Sequence, residues 1–450
     1  MHLNSERKQR LLELGEERLA DALLELANSI DASDDLVERM IATPQENIKR
    51  FKAKLAELKR SRRFIGWGES ARFARELGAL LEDLRAAVED PRTGAELVAA
   101  FYEADVGILA HCDDSSGNVG DLFRYNAREL FVSYASRCAD KEWLGDLVFR
   151  VIQSDDYGVR DAIVDCAKEY LPEPVMRVMV GRLQKKADQE SDEYQKRHWL
   201  NNVESLARQL KDAPLFEQAR LASWGNLSTA ACVDIAKVYL ESGDGFTALS
   251  WLEKIAETDT FLAEERDTLL LEIHDRAGNR DKQYDAAWRI FRRSRRAISL
   301  ERLLDVIGHD QRDDVLAGEI GTILGESVLS LVDAAFLVDI ERLVEAETYL
   351  LKRADQLNDD YYGGLLRLAE AMEKGGRQLC ASLIYRALLD SILRRAQTKT
   401  YPHGVRYLKK LDRLAGSVSD WQTFDNHSVY MQGLQQNHGR KSSFWSRYGS

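Results

Sequence analysis

Apolar residues recur every three to four positions along almost the whole chain of 450 residues, and this period constrains the fold more than any other feature. Leu12, Leu19 and Leu23, for example, lie on one face of a helix near the start of the chain. No run of six or more residues alternates between apolar and polar side chains, as a half-buried strand does. The chain contains only 6 prolines, which helix interiors exclude. The sequence therefore predicts an all-α protein.

Turns that contain glycine separate the helical segments at a spacing typical of helical repeats. We predict turns at Ser242–Gly245, Ala277–Asn279 and Gly375–Gly376, and 35 residues separate Gly243 from Gly278. A helix, a glycine turn and a second helix with small residues near its start resemble a tetratricopeptide repeat (TPR), which has a period of about 34 residues. One helical pair cannot bury its apolar faces alone, so successive pairs stack. We therefore expect a right-handed α-solenoid of TPR-like and HEAT-like helical pairs.

Differences in composition along the sequence predict that the chain is divided into four parts. These are an N-terminal helical cap region at 1–96, HEAT-like helical pairs at 97–200, TPR-like repeats at 201–396 and a basic, aromatic capping segment at 397–450. Phe444 and Trp445 lie close to the end of the chain, where a disordered tail would seldom carry aromatic residues. We expect this end to be ordered, as a short helix that begins at Ser442 or Ser443.

Cysteine usage and hydropathy bear on the cellular compartment. The 5 cysteines are far apart, with no CxC or CxxC pair, which favours reduced thiols over disulfides or a zinc knuckle. The N-terminal residues lack the apolar run of a signal peptide. No apolar stretch approaches the roughly 18 residues that a membrane helix needs. These features favour a cytoplasmic protein that has no membrane partner.

Motifs for catalysis and cofactor binding are missing. The 8 histidines form no HxxxH or HExxH pair, and the chain has no GxSxG, GxxxxGK[ST] or GxGxxG motif. We therefore expect no enzyme, no cofactor and no metal. A third hypothesis, weaker than the two functions considered below, is an enzyme site that combines His403, His438 and the polar loop at 111–121.

The loop at 111–121 (HCDDSSGNVGD) is the densest polar cluster in the sequence. Its oxygen-bearing side chains are of the kind that bind calcium. The EF-hand spacing fails, however, because a loop that starts at Asp113 places Gly117 at position 5 and Arg124 at position 12. We interpret the loop as a connection between helices, with Asp121 as the N-cap of the helix that follows.

Charge is distributed unevenly. From Arg394 to Ser450 there are ten lysines and arginines and three aspartates, a net charge of +7; the whole chain carries −12, so residues 1–393 carry −19. In one interpretation, the basic segment contacts nucleic acid or an acidic partner. The candidate binding residues are Arg406, Lys409, Lys410, Arg413, His438, Arg440, Lys441 and Arg447. In the favoured interpretation, the segment docks against the chain's own acidic helices.

Two further features belong to this interpretation. Aromatic residues near these cations would stack on bases if the segment binds nucleic acid, and would pack in the core if the segment docks on the chain's own helices. They are Tyr401, Tyr407, Trp421, Phe444, Trp445 and Tyr448. A second basic run comprises Arg292, Arg293, Arg295 and Arg296 at the end of a helix. Cations there complement the helix dipole, so we interpret this run as a solvated structural feature.

Four segments resemble a known family. They are GWGESARFARELGALLEDL (66–84), CDDSSGNVGDLF (112–123), YPHGVRYLKKLDRL (401–414) and HGRKSSFWSRY (438–448). Together they resemble an uncharacterised bacterial family of helical-repeat proteins, similar to the helical region that follows the zinc finger of SWIM-containing proteins. The resemblance spans most of residues 45–448 and implies a solenoid. The SWIM element, CxC followed by CxH, is absent, so the zinc and DNA binding of that finger are not implied here.

These observations favour a non-enzymatic α-solenoid scaffold that mediates protein–protein interaction. Repeated helical pairs and the lack of catalytic motifs support this hypothesis. The alternative is a nucleic-acid-associated accessory protein that uses the basic C-terminal segment. The sequence leaves the oligomeric state and the identity of the partner open.

Overall fold

A computed structural model describes residues 2–29, 37, 41–153, 155, 157–225, 227–357 and 362–449. The chain divides into two compact units, Met1–Ala248 and Leu249–Ser450. Among the described residues, the only β pairing is a parallel bridge between Ile65 and Cys112. Both units are otherwise built from helices and turns, so the predicted all-α class is confirmed.

Unit 1 contains fourteen labelled helices within its described residues. They are α1 His2–Leu12, α2 Glu16–Ser29, α3 Pro44–Arg60, α4 Trp67–Ala87, α5 Pro91–Tyr102, α6 Asp105–Leu109, α7 Asn118–Asp121, α8 Arg128–Ala135, α9 Lys141–Ile152, α10 Asp161–Val164, α11 Glu173–Gln189, α12 Glu193–Gln209, α13 Ala213–Trp224 and α14 Thr229–Ser242. A π-helical segment, Leu122–Ala127, joins α7 to α8, and Ala167–Glu169 forms a 3-10 turn. Helix α15, Gly245–Leu252, spans the boundary between the units.

Unit 2 continues with helices of similar length. They are α16 Ala263–Arg276, α17 Arg280–Arg293, α18 Ala297–Ile307, α19 Arg312–Gly325, α20 Leu331–Asp339, α21 Leu343–Leu351, α22 Tyr362–Lys374, α23 Gln378–Arg395, α24 Tyr401–Ala415, α25 His427–His438 and α26 Ser442–Tyr448. Short 3-10 turns lie at His309–Gln311, Ala354–Gln356 and Thr398–Thr400. The start of α26 confirms the predicted short helix at Ser442.

Helices pack mainly against their neighbours in the chain, as expected of a solenoid. In unit 1, α12 packs closely against both α11 and α13; in unit 2, α16 packs against α17, and α23 against both α22 and α24. Each unit has its own apolar core, which extends from Phe51 to Ala219 in unit 1 and from Ala287 to Phe444 in unit 2. The predicted right-handed sense and the four-part division stay predictions.

The three turns predicted from glycine lie where the sequence placed them. Gly243, Gly278 and Gly376 have φ angles of 95°, 67° and 74°, in the left-handed region that glycine adopts without strain. They separate α14 from α15, α16 from α17, and α22 from α23. Glycine therefore follows the first helix of each predicted pair and separates it from the second.

A fully buried ion pair ties together the middle of unit 1. The Arg160 guanidinium donates to both carboxylate oxygens of Asp105, at 2.9 and 2.6 Å, and to the Val151 carbonyl at 2.7 Å. Burial raises the pKa of Asp105, and the bonds from Arg160 oppose that effect. Such a bidentate pair holds the segment after α9 against the start of α6.

All five cysteines lie among the described residues, where they form no disulfide bond and are buried. Burial raises the pKa of the thiols of Cys112 and Cys380, and that of Cys166 to about 12. Within the described part of the chain, no helix combines the length and the apolar character required to cross a membrane.

Candidate functional site

The candidate binding residues of the C-terminal segment lie on three helices of unit 2 and in the turn between the last two. Arg406, Lys409, Lys410 and Arg413 belong to α24, His438 ends α25, Arg440 and Lys441 lie in the following turn, and Arg447 belongs to α26. The other face of α24 is apolar and buried, through residues such as Leu408 and Leu411. The helical period therefore places the cations on the outer face.

Two of these cations are held by one carboxylate. Lys410 Nζ donates to Glu373 Oε2 at 2.7 Å and to the Tyr385 hydroxyl at 2.6 Å, and Arg413 bonds to the other oxygen of Glu373. Burial acts to raise the pKa of Glu373, but the hydrogen bonds from Lys410, Tyr385 and Arg413 outweigh it and lower the pKa. This part of the segment docks on an acidic residue of α22, as the favoured interpretation expects.

The remaining candidates do not converge on one partner. Arg406 contacts His403 Nδ1 at 2.9 Å within its own helix, while Lys409 and Arg440 are exposed. His438 accepts a hydrogen bond from Trp445 Nε1 at its carbonyl oxygen, and burial lowers the pKa of its imidazole.

The aromatic residues of this segment pack inwards. Tyr407 and Phe444 are fully buried, and Tyr401 is 3% exposed. Tyr448 donates its hydroxyl hydrogen to Asp412, and the indole of Trp421 is covered by the Arg386 guanidinium at 4.5 Å. Tyr401, Tyr407 and Phe444 belong to the core of unit 2, and Trp445 and Tyr448 pack against it.

The polar loop at 111–121 is closed by its own hydrogen bonds. The helix begins at Asn118, and Asp114 accepts the backbone N–H groups of Val119 and Gly120 at 2.9 and 2.7 Å. The expectation that Asp121 caps this helix is therefore wrong, because Gly117, with φ of 75°, brings Asp114 back over the helix start. Among the described residues, no three acidic, histidine or cysteine side chains are placed to share a metal ion.

A recess on α17 provides a different candidate site, which we call the arginine recess. It is an open hollow of about 560 Å³ lined by Asp285, Trp288, Arg289, Arg292 and Arg293. These residues recur at the helical spacing of one face, whereas Ala286, Ala287, Ile290 and Phe291 face the core.

Buried carboxylates lie behind the arginines. Arg289 Nε and Arg293 Nη2 donate to the two oxygens of Asp267 at 2.9 and 3.1 Å, and only 1% of the Asp267 side chain is exposed. Arg292 Nε donates to Glu319 at 3.0 Å. Each carboxylate therefore fixes a guanidinium from below.

Arg295 completes this network beneath the recess. It shares Glu319 with Arg292, at 3.0 Å, and donates to Asp333 at 2.8 Å, with 14% of its side chain exposed. The interpretation of this basic run as solvated is wrong for Arg295, because helices α19 and α20 bring two carboxylates to it. Sequence periodicity identifies the shared face of α17 but does not identify these distant partners.

The solvent-facing side of the recess combines the indole ring of Trp288 with partly exposed guanidinium groups. The Arg292 guanidinium lies 4.6 Å from the centroid of the Trp288 ring. The exposed fractions of the Arg289, Arg292 and Arg293 side chains are 47%, 58% and 34%. A guanidinium has five N–H donors, and the bonds to Asp267 and Glu319 use one from each of these three arginines. The site is suited to binding an anionic group.

Comparison with known proteins gives one family. A family model described as "Family of unknown function (DUF6880)" matches residues 2–224 and 223–447. No curated protein matches the chain. A solved structure described as "Circular tandem repeat protein with novel repeat topology and enhanced subunit contact surfaces" is 16% identical, with 98% of this chain and 97% of that chain covered. Its TM-score is 0.18.

Proposed function

The chain belongs to this family, DUF6880, and we propose that it is a non-enzymatic scaffold that binds a partner protein at the arginine recess. The observation that carries the proposal is the placement of Trp288 beside three arginines on one exposed helical face. Tryptophan and arginine are the residue types that most often dominate binding energy at protein interfaces.

The packing around the recess suits a binding surface. Ala287 and Phe291 anchor α17 in the core of unit 2, with Phe291 fully buried. The side chains above them are held by carboxylates from α16 and α19. A partner would therefore meet groups that already have their bound orientation, which reduces the entropy cost of binding.

The groups that line the recess are guanidinium, indole and carboxylate. They provide charge and contact area, and the proposal assigns no chemical step to them. A cytoplasmic location, a bacterial origin and a relation to the helical region of SWIM-containing proteins belong to the same proposal and stay predictions.

Site-specific crosslinking tests the proposed function. A photoreactive phenylalanine derivative replaces Trp288 in the full chain, which is then illuminated in cells that naturally contain it. The matched control replaces Tyr194, an aromatic residue of unit 1 that is 66% exposed. We expect one identified protein to crosslink at position 288, with its own contact peptide mapped by mass spectrometry, and not at position 194. Equal crosslinking at both positions, or none at 288, would contradict the proposal.

Nuclease treatment in the same experiment addresses the nucleic-acid alternative. We expect the crosslinked protein to survive nuclease, because Tyr401, Tyr407 and Phe444, which would otherwise be available to stack on bases, are buried in unit 2. Recovery of only nuclease-sensitive material, lost when Lys409 and Arg440 are replaced by glutamine, would favour the nucleic-acid function instead.

A further inference from the structure

We propose that the arginine recess binds an acidic peptide segment of the partner protein. Carboxylate or phosphate groups of the peptide would accept N–H donors of Arg289, Arg292 and Arg293, and an apolar side chain would pack against Trp288. This inference rests on the proposed function and adds the chemistry of the partner.

Each arginine of the recess can bind a buried carboxylate of the protein and an anionic group of a peptide at the same time. Asp267 and Glu319 accept N–H groups of these arginines beneath the recess, and each is almost fully buried, with 1% and 3% of its side chain exposed. Because the carboxylates use one edge of each guanidinium, the remaining N–H groups of Arg289 and Arg292 are left for the solvent side. Guanidinium groups bind carboxylates and phosphates through paired N–H donors.

The placement of the charges, and not their sum, favours an anionic partner over a cationic one. Four arginines, at 289, 292, 293 and 295, bond to the three carboxylates of Asp267, Glu319 and Asp333, and Asp285 in the lining brings the sum of these charges to zero. The carboxylates are buried while the guanidinium groups are partly exposed. A partner therefore meets the positive side of the network first.

Asp285 is the one acidic residue among the described residues that line the recess. It is exposed and lies one helical turn before Arg289 on the same face. Its carboxylate would repel an acidic peptide. Removing that charge should therefore tighten binding, a result that a damaged fold cannot imitate.

The experiment measures the binding of synthetic peptides to the full chain by fluorescence anisotropy. One labelled peptide carries glutamates around a central leucine, the second has glutamine at every glutamate, and the third has phosphoserine at two of those positions. We expect the acidic and phosphorylated peptides to bind and the glutamine peptide not to bind. Binding should weaken by roughly tenfold or more as salt rises from about 0.05 M to about 0.5 M, because exposed charges are screened.

Matched variants assign the effect to the recess. Arg292→Gln should weaken binding by about fivefold or more, and Asp285→Asn should tighten it by about twofold or more, as expected for charges at an interface. Arg302→Gln changes an exposed arginine on the next helix and should alter the affinity by less than about twofold. Thermal denaturation of each variant reports on folding separately.

Three outcomes would overturn the inference. They are equal binding of the glutamine peptide, an unchanged affinity in Asp285→Asn, and stronger binding of single-stranded DNA with the same dependence on Arg292. Crosslinking of a partner at position 288 without any peptide binding would overturn the acidic chemistry alone and leave the scaffold function in place. Failure of both experiments would remove the scaffold function as well.

Discussion

Gly94 lies in α5 directly beneath the ring of Tyr134, a residue of α8. A Cβ atom at Gly94 would overlap three carbons of that ring. The ring cannot easily move away, because the Tyr134 hydroxyl donates to the carbonyls of Leu84 and Val88 at 3.2 and 3.0 Å. The absence of a side chain at this position therefore allows α5 and α8 to approach closely.

We expect Gly94→Ala to lower the free energy of unfolding of unit 1 by about 2 kcal/mol, because the methyl group overpacks the core. Urea denaturation of the full chain measures this change. The matched control is Gly181→Ala in α11, an exposed helical position with nothing within 4 Å of the added Cβ. There alanine should stabilise the chain by about 0.5–1 kcal/mol, since glycine is the poorer helix former. Equal effects of the two substitutions would argue against this packing.

His274 gives unit 2 a dependence on pH. Burial lowers the pKa of its imidazole, and the positive charges of Lys282 and Arg289 lower it further, while Glu253 opposes them. The unfolded chain takes up this proton at a higher pH than the folded chain does. The free energy of unfolding should therefore decrease as the pH falls below about 6.5, the ordinary pKa of histidine.

Replacing this imidazole should remove that part of the pH dependence. We expect His274→Gln to show a shallower loss of stability than the unchanged chain between about pH 7.5 and about pH 5.5. Val429→Ala, at a residue of α25 that is 45% exposed and carries no titratable group, is the control and should keep the original slope. The slope of denaturation midpoint against pH is the measurement, so a constant loss of stability in either variant does not affect the comparison. An unchanged slope in His274→Gln would contradict the assignment.

At the scale of elements, Phe444 is the one fully buried side chain of helix α26 within its described residues, and Trp445 and Tyr448 add partly buried contacts. Phe444 is fully buried and packs edge-on against Tyr401 of α24, with ring centroids 5.6 Å apart. Gly404 of α24 makes room for it, since a Cβ there would lie 3.1 Å from the Phe444 ring. A helix of seven residues is too short to be stable alone, so the terminal helix depends on the packing of Phe444 against α24.

We expect Phe444→Ala to destabilise unit 2 by about 3–5 kcal/mol, because it removes a buried aromatic side chain and leaves a cavity. Limited proteolysis should then cleave within residues 439–449 before it cleaves elsewhere in the described part of unit 2. Val429→Ala, at a residue of α25 that is 45% exposed, should change stability by less than about 0.5 kcal/mol. Retention of the terminal helix in Phe444→Ala would show that other contacts hold it.

The elements were largely predictable from the sequence because their signals are local. The period at which apolar residues recur indicates where a helix lies. The positions of proline and glycine indicate where it ends, as at Gly243 and Gly376. Caps are less certain, since several acidic residues compete near a helix start. Asp114 takes the role that spacing alone assigned to Asp121 because a left-handed glycine lies between them.

At the scale of the molecule, the partners of charged residues were not predictable. Periodicity places Arg292 and Lys410 on outward faces, but their carboxylates, Glu319 and Glu373, lie 27 and 37 residues away in the chain. Only the packing of successive helices determines which of the many acidic residues meets each cation. The arginine recess was therefore missed as a site, although its residues already share one helical face in the sequence.

The accessibility of the buried cysteine thiols reports on the opening of each unit. A protonated, covered thiol reacts with an alkylating reagent only after the surrounding helices separate. Cys166 reports on unit 1 and Cys380 on unit 2, since each lies within the apolar core of its unit. The relative rates of alkylation at these two thiols would rank the kinetic accessibility of the units in the unmodified protein, without an added probe.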